Sequence, residues 1–132
     1  MKLTMEDKKL IAETRKRLSK NPLLKKKVSV GSTLVTKNNK YFGVSLELSC
    51  SVGNCAEYSA SSAMVANGET EIKKIVAIHH RKVIPPCGKC RELLYELNKK
   101  NLEAEVIVSE KEKVKLKELL PDRWQNVLRR SI

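Results

Sequence analysis

Three cysteines and a glutamate, placed where helices begin, constrain this chain more than any other feature of its sequence. Cys55 precedes Ala56 and Glu57 at the head of a run of small residues that reads as a helix, Cys55 to Ala66, stopped by Asn67-Gly68. Cys87 and Cys90 open a second helical pattern, in which Leu93, Leu94 and Leu97 recur at helical spacing. If the two helices lie side by side, three thiols meet at the C-terminal edge of a sheet, where ligand sites of open α/β sheets collect. Three thiolates make a zinc site with one position left open, the arrangement of a catalytic metal, and each helix start adds roughly +0.5 of a charge that steadies the anionic cluster. Glu57 lies close to such a metal without pointing straight at it. It is therefore placed to accept a proton from water, whose pKa zinc lowers from ~15.7 to near 7, and to hand it on to a substrate.

The rest of the chain supplies the scaffold. Thr4 and Asp7 mark a helix start, and that helix runs to about Lys20, buries Leu10, Ile11 and Leu18, and stops before Pro22. The stretches "KVSVGSTLVT" and "YFGVSLEL", joined by "KNNK", read as a hairpin. "IKKIVAIHH" is an apolar run of the kind buried in a sheet, with a loop closed by Pro85 and Pro86 after it. The Leu93–Leu97 helix carries lysines at its end, "EAEVIVSE" is a further strand, and "KVKLKELLP" is a short helix or strand remnant before a helical tail. Helix, hairpin, helix, strand, helix, strand, helix gives an α/β domain with a mixed sheet covered by helices, its C-terminal strands parallel and joined by right-handed crossovers. With no linker or repeat, residues 1–132 are expected to form one domain.

The chain carries 27 basic and 15 acidic residues, a net charge of +12, which raises the question of nucleic acid. Its lysine pairs are spread along the sequence, as on a solvated surface, and aromatic residues make up only 4%, too few for a base-stacking platform. No stretch approaches the ~20 apolar residues of a membrane span, and the first residues lack a signal-peptide core, so the expected location is cytoplasmic. In that compartment the four cysteines stay reduced, which favours metal binding or catalysis.

"CAE" at Cys55 to Glu57 and "PCGKCREL" at Pro86 to Leu93 resemble the cytidine deaminase family, in particular its small tetrameric zinc branch and the related blasticidin S deaminases. A weaker likeness runs from "VSVGSTL" to "KELLP". The resemblance implies a three-layer α/β/α fold, a homotetramer whose neighbours complete each pocket, and one zinc per subunit held by Cys55, Cys87 and Cys90. It also implies a reaction: Glu57 shuttles a proton to ring N3 and then to the departing amine, while water adds at C4 of a cytosine ring and ammonia leaves. The backbone at Ala56 and Glu57 and the carbonyls near Pro85 and Pro86 would bind the base.

The chain departs from the cytidine pattern at several positions. The family's Asn-x-Glu, which grips the ribose, is here Ser45-Leu46-Glu47, so the glutamate is kept while a serine offers one donor where an amide offers two. Val28 stands where those enzymes place an aromatic residue in the first strand, and Trp124 where the blasticidin type carries a tryptophan near the site, so the resemblance makes both candidates for the pocket wall. Tyr58 replaces the arginine that offsets the third thiolate, and Lys89 and Arg91 are the candidates to supply that charge. Lys89 and Trp124 lean toward the blasticidin type, and the segment between Val108 and Lys117 is short enough to truncate the family's fifth strand.

The leading expectation is thus a zinc-dependent hydrolytic deaminase of cytidine or deoxycytidine, acting in salvage or in resistance, with a blasticidin S-type nucleoside as the alternative substrate. A polynucleotide deaminase fits less well, because most such editors take histidine as first ligand and need a strand channel. A non-catalytic zinc protein would enlist Cys50 in a closed four-cysteine site and leave Glu57 without a task. His79 or His80, at the edge of the third strand, is a candidate for the pocket mouth.

Overall fold

The computed structural model describes residues 1–131. Helix α1 (Met5–Ser19) opens with a closed capping box: the Thr4 hydroxyl accepts the Asp7 N–H, and the Asp7 carboxylate accepts the Thr4 N–H at 2.8 Å. Strands β1 (Val30–Val35) and β2 (Lys40–Val44) form the expected antiparallel hairpin. After helix α2 (Ala56–Ala66) the chain turns at Gly68, whose φ of +82° only glycine adopts without strain, and enters β3 (Lys74–His79). Strand β4 (Lys82–Ile84) folds back on β3, followed by α3 (Gly88–Leu97), β5 (Glu105–Ile107), β6 (Lys113–Lys115) and α4 (Trp124–Ser131).

The sheet runs β2-β1-β3-β5-β6. Strand β3 pairs parallel with β5 through Lys74 and Ile75 and antiparallel with β4 through Ala77 to His79. The parallel pairing across a helical crossover matches the sequence reading. The stretch that reads as a short helix or strand remnant is β6 with a 3-10 turn after it, and β6 returns antiparallel on β5, because only a short loop joins them and a parallel return needs a crossover of a dozen or more residues. That final strand is three residues long, as its brevity in sequence implied.

Helix α1 covers one face of the sheet, packing Leu10, Ile11 and Leu18 against Val76, Ile78 and Ile107. The other face carries Leu34, Ala60, Met64, Ile75, Leu94 and Val106, so α2 and α3 complete a three-layer α/β/α sandwich. Val28 belongs to the α1 core at 2% exposure and does not line the cavity beside the three cysteines, which corrects its expected place in the pocket wall.

Two features escaped the sequence. The hairpin β3–β4 gives no turn signal in sequence, because its turn carries no glycine, asparagine or proline: His80 itself adopts the left-handed conformation, φ 55°. Helix α3 ends at Leu97 rather than continuing through the lysines, since Asn98 is extended and its side chain caps a following 3-10 turn, Lys99–Glu103. Among the described residues no helix is long and apolar enough to cross a membrane.

Candidate metal and catalytic centre

Helices α2 and α3 both begin on a cysteine. Cys55 is the N-cap of α2 and Cys87 the N-cap of α3, while Cys90 is on the first turn of α3 and Glu57 on the first turn of α2. Their Sγ atoms all lie within 4.8 Å of one another, and Cys55 and Cys87 are 3.8 Å apart. Two ligands at ~2.3 Å from a tetrahedral zinc are separated by ~3.8 Å, so Cys55 and Cys87 already have the spacing of such a site and the Cys90 sulfur is within about an ångström of it. Both helix dipoles point positive ends at the cluster.

Cys50, exposed in a 3-10 turn, is outside the cluster, so the closed four-cysteine arrangement is not formed. Burial pushes the thiols of Cys55 and Cys90 up; Glu57 and both other sulfurs add to the rise at Cys90, whereas at Cys55 the Cys90 thiol opposes it and Cys87 and Glu57 add to it. Cys87 is held down, its own burial outweighed by the Cys90 N–H and the adjacent thiols. Metal binding therefore releases protons from this cluster. Burial likewise raises the Glu57 carboxyl above the usual range, its backbone N–H and the Cys90 thiol offsetting part of the effect. At 4% exposure, Glu57 is a carboxyl suited to pick up and release a proton.

The close packing that holds α2 in place comes from Gly43 on β2. A Cβ there would lie 2.4 Å from the Ala60 nitrogen and 2.6 Å from the Ala56 carbonyl oxygen. The helix that carries Cys55 and Glu57 thus rests directly on strand backbone, the close packing that its run of small residues suggests.

The cluster opens onto a cavity of about 820 Å³ whose walls include Val30, Ser45, Glu47, Ala56, Glu57, Pro85 and Lys89. Of the expected substrate contacts, Ser45, Glu47 and Ala56 are brought together there. The wall is Pro85 and not Pro86, which is buried with its carbonyl accepting Arg91 Nε at 2.8 Å. Ser45 is tied back as well: its Oγ accepts the N–H groups of Ser29 at 3.1 Å and Val30 at 3.0 Å, leaving the hydroxyl only its proton to offer.

Lys89 is fixed at the rim. Its ammonium reaches Asn54 Oδ1 at 3.3 Å and stacks 4.6 Å from the centre of the Tyr58 ring, and the same Asn54 oxygen accepts the Cys55 N–H. Arg91 instead turns away, its guanidinium bonding the carbonyls of Pro86 and Leu119. Trp124 is on the outer surface, 56% exposed, with its indole N–H on Glu92 of α3, and lines no part of the cavity. Neither histidine reaches it: His79 ends β3 in solvent and His80 forms the β3–β4 turn. Asn54 also lines the cavity, although an asparagine before a helix reads as ordinary capping, and so does Lys27, although the run Lys25 to Lys27 reads as solvated or as a subunit contact.

The sequence pattern described as "Cytidine and deoxycytidylate deaminase zinc-binding region" matches residues 5–106. The chain belongs to this family. Blasticidin-S deaminase of Bacillus cereus is 31% identical over 77 residues, 49% of this chain and 54% of that protein, so the match spans about half the length of the curated relative. Among solved structures, cytidine deaminase from Mycobacterium leprae superimposes with a TM-score of 0.75 at 24% identity, covering 91% of this chain and all of that one. Cytidine deaminase from Burkholderia pseudomallei gives 0.70 at 27% identity, covering 91% and 98%.

Proposed function

We propose that this protein is a hydrolytic deaminase of a free cytosine-containing nucleoside, with cytidine or deoxycytidine as the leading substrate. The observation that carries the reading is the meeting of three thiols, spaced for zinc, with the buried carboxyl of Glu57 in one cavity. Cys55, Cys87 and Cys90 would hold the metal. Bound there, zinc would supply the Lewis acidity that makes water nucleophilic near neutral pH.

The chain's own groups then manage protons and position. Glu57 takes a proton from the attacking water, delivers one to ring N3, and passes one to the amine as the C4–N bond breaks and ammonia leaves. Its raised pKa suits this, because the same carboxyl must give up the proton it has accepted. Ala56 and Pro85 wall the base, and Glu47 offers a carboxylate to sugar hydroxyls. Lys89, held by Asn54 and Tyr58, offsets the charge of the third thiolate where relatives use an arginine.

A blasticidin S-type substrate is the second reading. It is favoured by Ser45, whose lone pairs are spent on backbone N–H groups and cannot grip a ribose as an amide does, and by the relative from Bacillus cereus. Exposed Leu46 and Leu48 on the cavity wall support assembly into a homotetramer, in which a second copy covers them. Four free cysteines fit a cytoplasmic setting.

The test is ammonia release by zinc-loaded protein from cytidine, deoxycytidine, blasticidin S, guanine, adenosine and a cytosine-containing oligonucleotide. Release from a free cytosine nucleoside is expected. Activity on the oligonucleotide alone, or none on any substrate, would contradict the proposal.

A further inference from the structure

Two stretches of the chain hold no acidic residue: 14–46, with nine lysines and arginines, and 72–91, with six and both histidines. The charges that look dispersed in sequence are partly gathered by the fold. Val30 pairs with His79, His79 with Lys82, and the His80 N–H donates to the Ser29 carbonyl at 3.0 Å, so segments from both stretches share one end of the sheet. Helix α1 finishes at the same place, where Arg15 Nε donates to the Arg81 carbonyl at 2.9 Å.

Between the last turns of α1 and the β3–β4 turn lies a depression of about 300 Å³, lined by Ala12, Arg15, Lys16, Ser19, His80 and Arg81. Among the described residues, the Lys16 ammonium and the Arg81 guanidinium have neither an ion-pair nor a hydrogen-bond partner. His80 adds a buried ring nitrogen, Nδ1, that is likewise without a partner. Leaving a buried polar atom unpaired is costly, and a ligand oxygen in hydrogen-bond reach would relieve it. One acid competes: Glu110 pairs with Arg15, but it is 55% exposed and free to swing into water. The α1 carbonyl end contributes only roughly −0.5 of a charge against three full cations.

We propose that this pocket binds a dianionic phosphate group, as inorganic phosphate or as the terminal phosphate of a sugar phosphate. Paired charge-assisted donors match a group with several terminal oxygens. The concave wall of Ala12 and Ser19 admits an end group, and the chain's 4% aromatic content provides little to stack the bases of a threaded strand. None of the six residues lines the cavity of the metal cluster, so the site is independent of the deaminase reading.

The experiment is calorimetric titration of zinc-loaded protein with inorganic phosphate, with ribose 5-phosphate, which lacks a base, and with a single-stranded oligonucleotide. Wild type is compared with the Lys16→Ala/Arg81→Ala double variant, two exposed changes checked for folding by circular dichroism. Saturable binding of phosphate or ribose 5-phosphate is expected, weakened at least ~10-fold in the variant. Tighter binding of ribose 5-phosphate assigns the site to sugar phosphates, and equal binding assigns it to free phosphate. No saturable binding of either, equal binding by the variant, or binding of the oligonucleotide alone would overturn the proposal.

Discussion

Replacing Gly43 with alanine tests whether the approach of β2 to α2 sets the geometry of the metal cluster. The added Cβ would meet the Ala60 nitrogen at 2.4 Å, the Ala56 carbonyl oxygen at 2.6 Å and Ser59 Cβ at 2.8 Å. Ordinary contacts lie near ~3.5 Å or beyond, so the first turn of α2 must retreat by about 1 Å. Two of the three obstacles are helix backbone, which cannot rotate aside as a side chain can. Such overpacking costs about 1–3 kcal/mol. The same retreat carries Cys55 and Glu57 away from Cys87 and Cys90, against a tolerance of about 0.2 Å in metal–ligand distance. Zinc affinity, measured by competition with a colorimetric chelator, should fall ~10-fold or more, and the melting temperature should drop. Gly68→Ala is the control: its Cβ meets nothing, so it costs ~1 kcal/mol of backbone strain at φ +82° and leaves zinc affinity unchanged. A Gly43→Ala protein with wild-type zinc affinity and melting temperature would refute the reasoning.

Three other outcomes follow from the packing and the cluster. Asp7 is fully buried, and although burial pushes its carboxyl up, Lys113, Lys74 and the Thr4 N–H hold it well below the usual carboxylate range. Asp7→Asn should cost ~3 kcal/mol at pH 7; because the native pKa is depressed, that advantage is present above the unfolded value of ~3.9 and shrinks as pH falls below it, which urea titrations across pH 3–7 would reveal. Asn101, wholly buried, accepts the Ile72 N–H and donates to the carbonyls of Thr70 and Leu94, so Asn101→Leu should lose about 3 kcal/mol in the same assay. Serine at Cys55, Cys87 or Cys90 should each abolish stoichiometric zinc in metal analysis, whereas Cys50→Ser should retain it.

The three-cysteine cluster was legible because metal chemistry ties residue type to spacing: two helix starts bearing thiols, one with a carboxylate two residues on, leave few other uses. The sandwich was legible because apolar periodicity announces helices and buried strands. What stayed hidden depends on tertiary backbone. His80 turns the chain at a position that sequence patterns reserve for glycine or asparagine, so β4 went unseen. Ser45 looks like a free hydroxyl until β1 is laid beside it and claims both lone pairs. Val28 and Trp124 were placed by resemblance, yet one fills the α1 core and the other leans on Glu92, because a register position alone does not say which face of the sheet a side chain meets. Arg91 was expected beside the thiolates and serves the Pro86 carbonyl, a choice made by a loop whose path its two prolines dictate.

The central claim is that Glu57 moves the protons of a deamination at the three-cysteine site. The most direct measurement is the rate of ammonia release from cytidine and blasticidin S by zinc-loaded Glu57→Gln beside wild type. The amide keeps the side chain's size but cannot carry the proton, so the rate on whichever substrate the wild type accepts should fall by roughly 10²–10⁴-fold with zinc still bound. A variant that turns over that substrate at the wild-type rate would contradict the account.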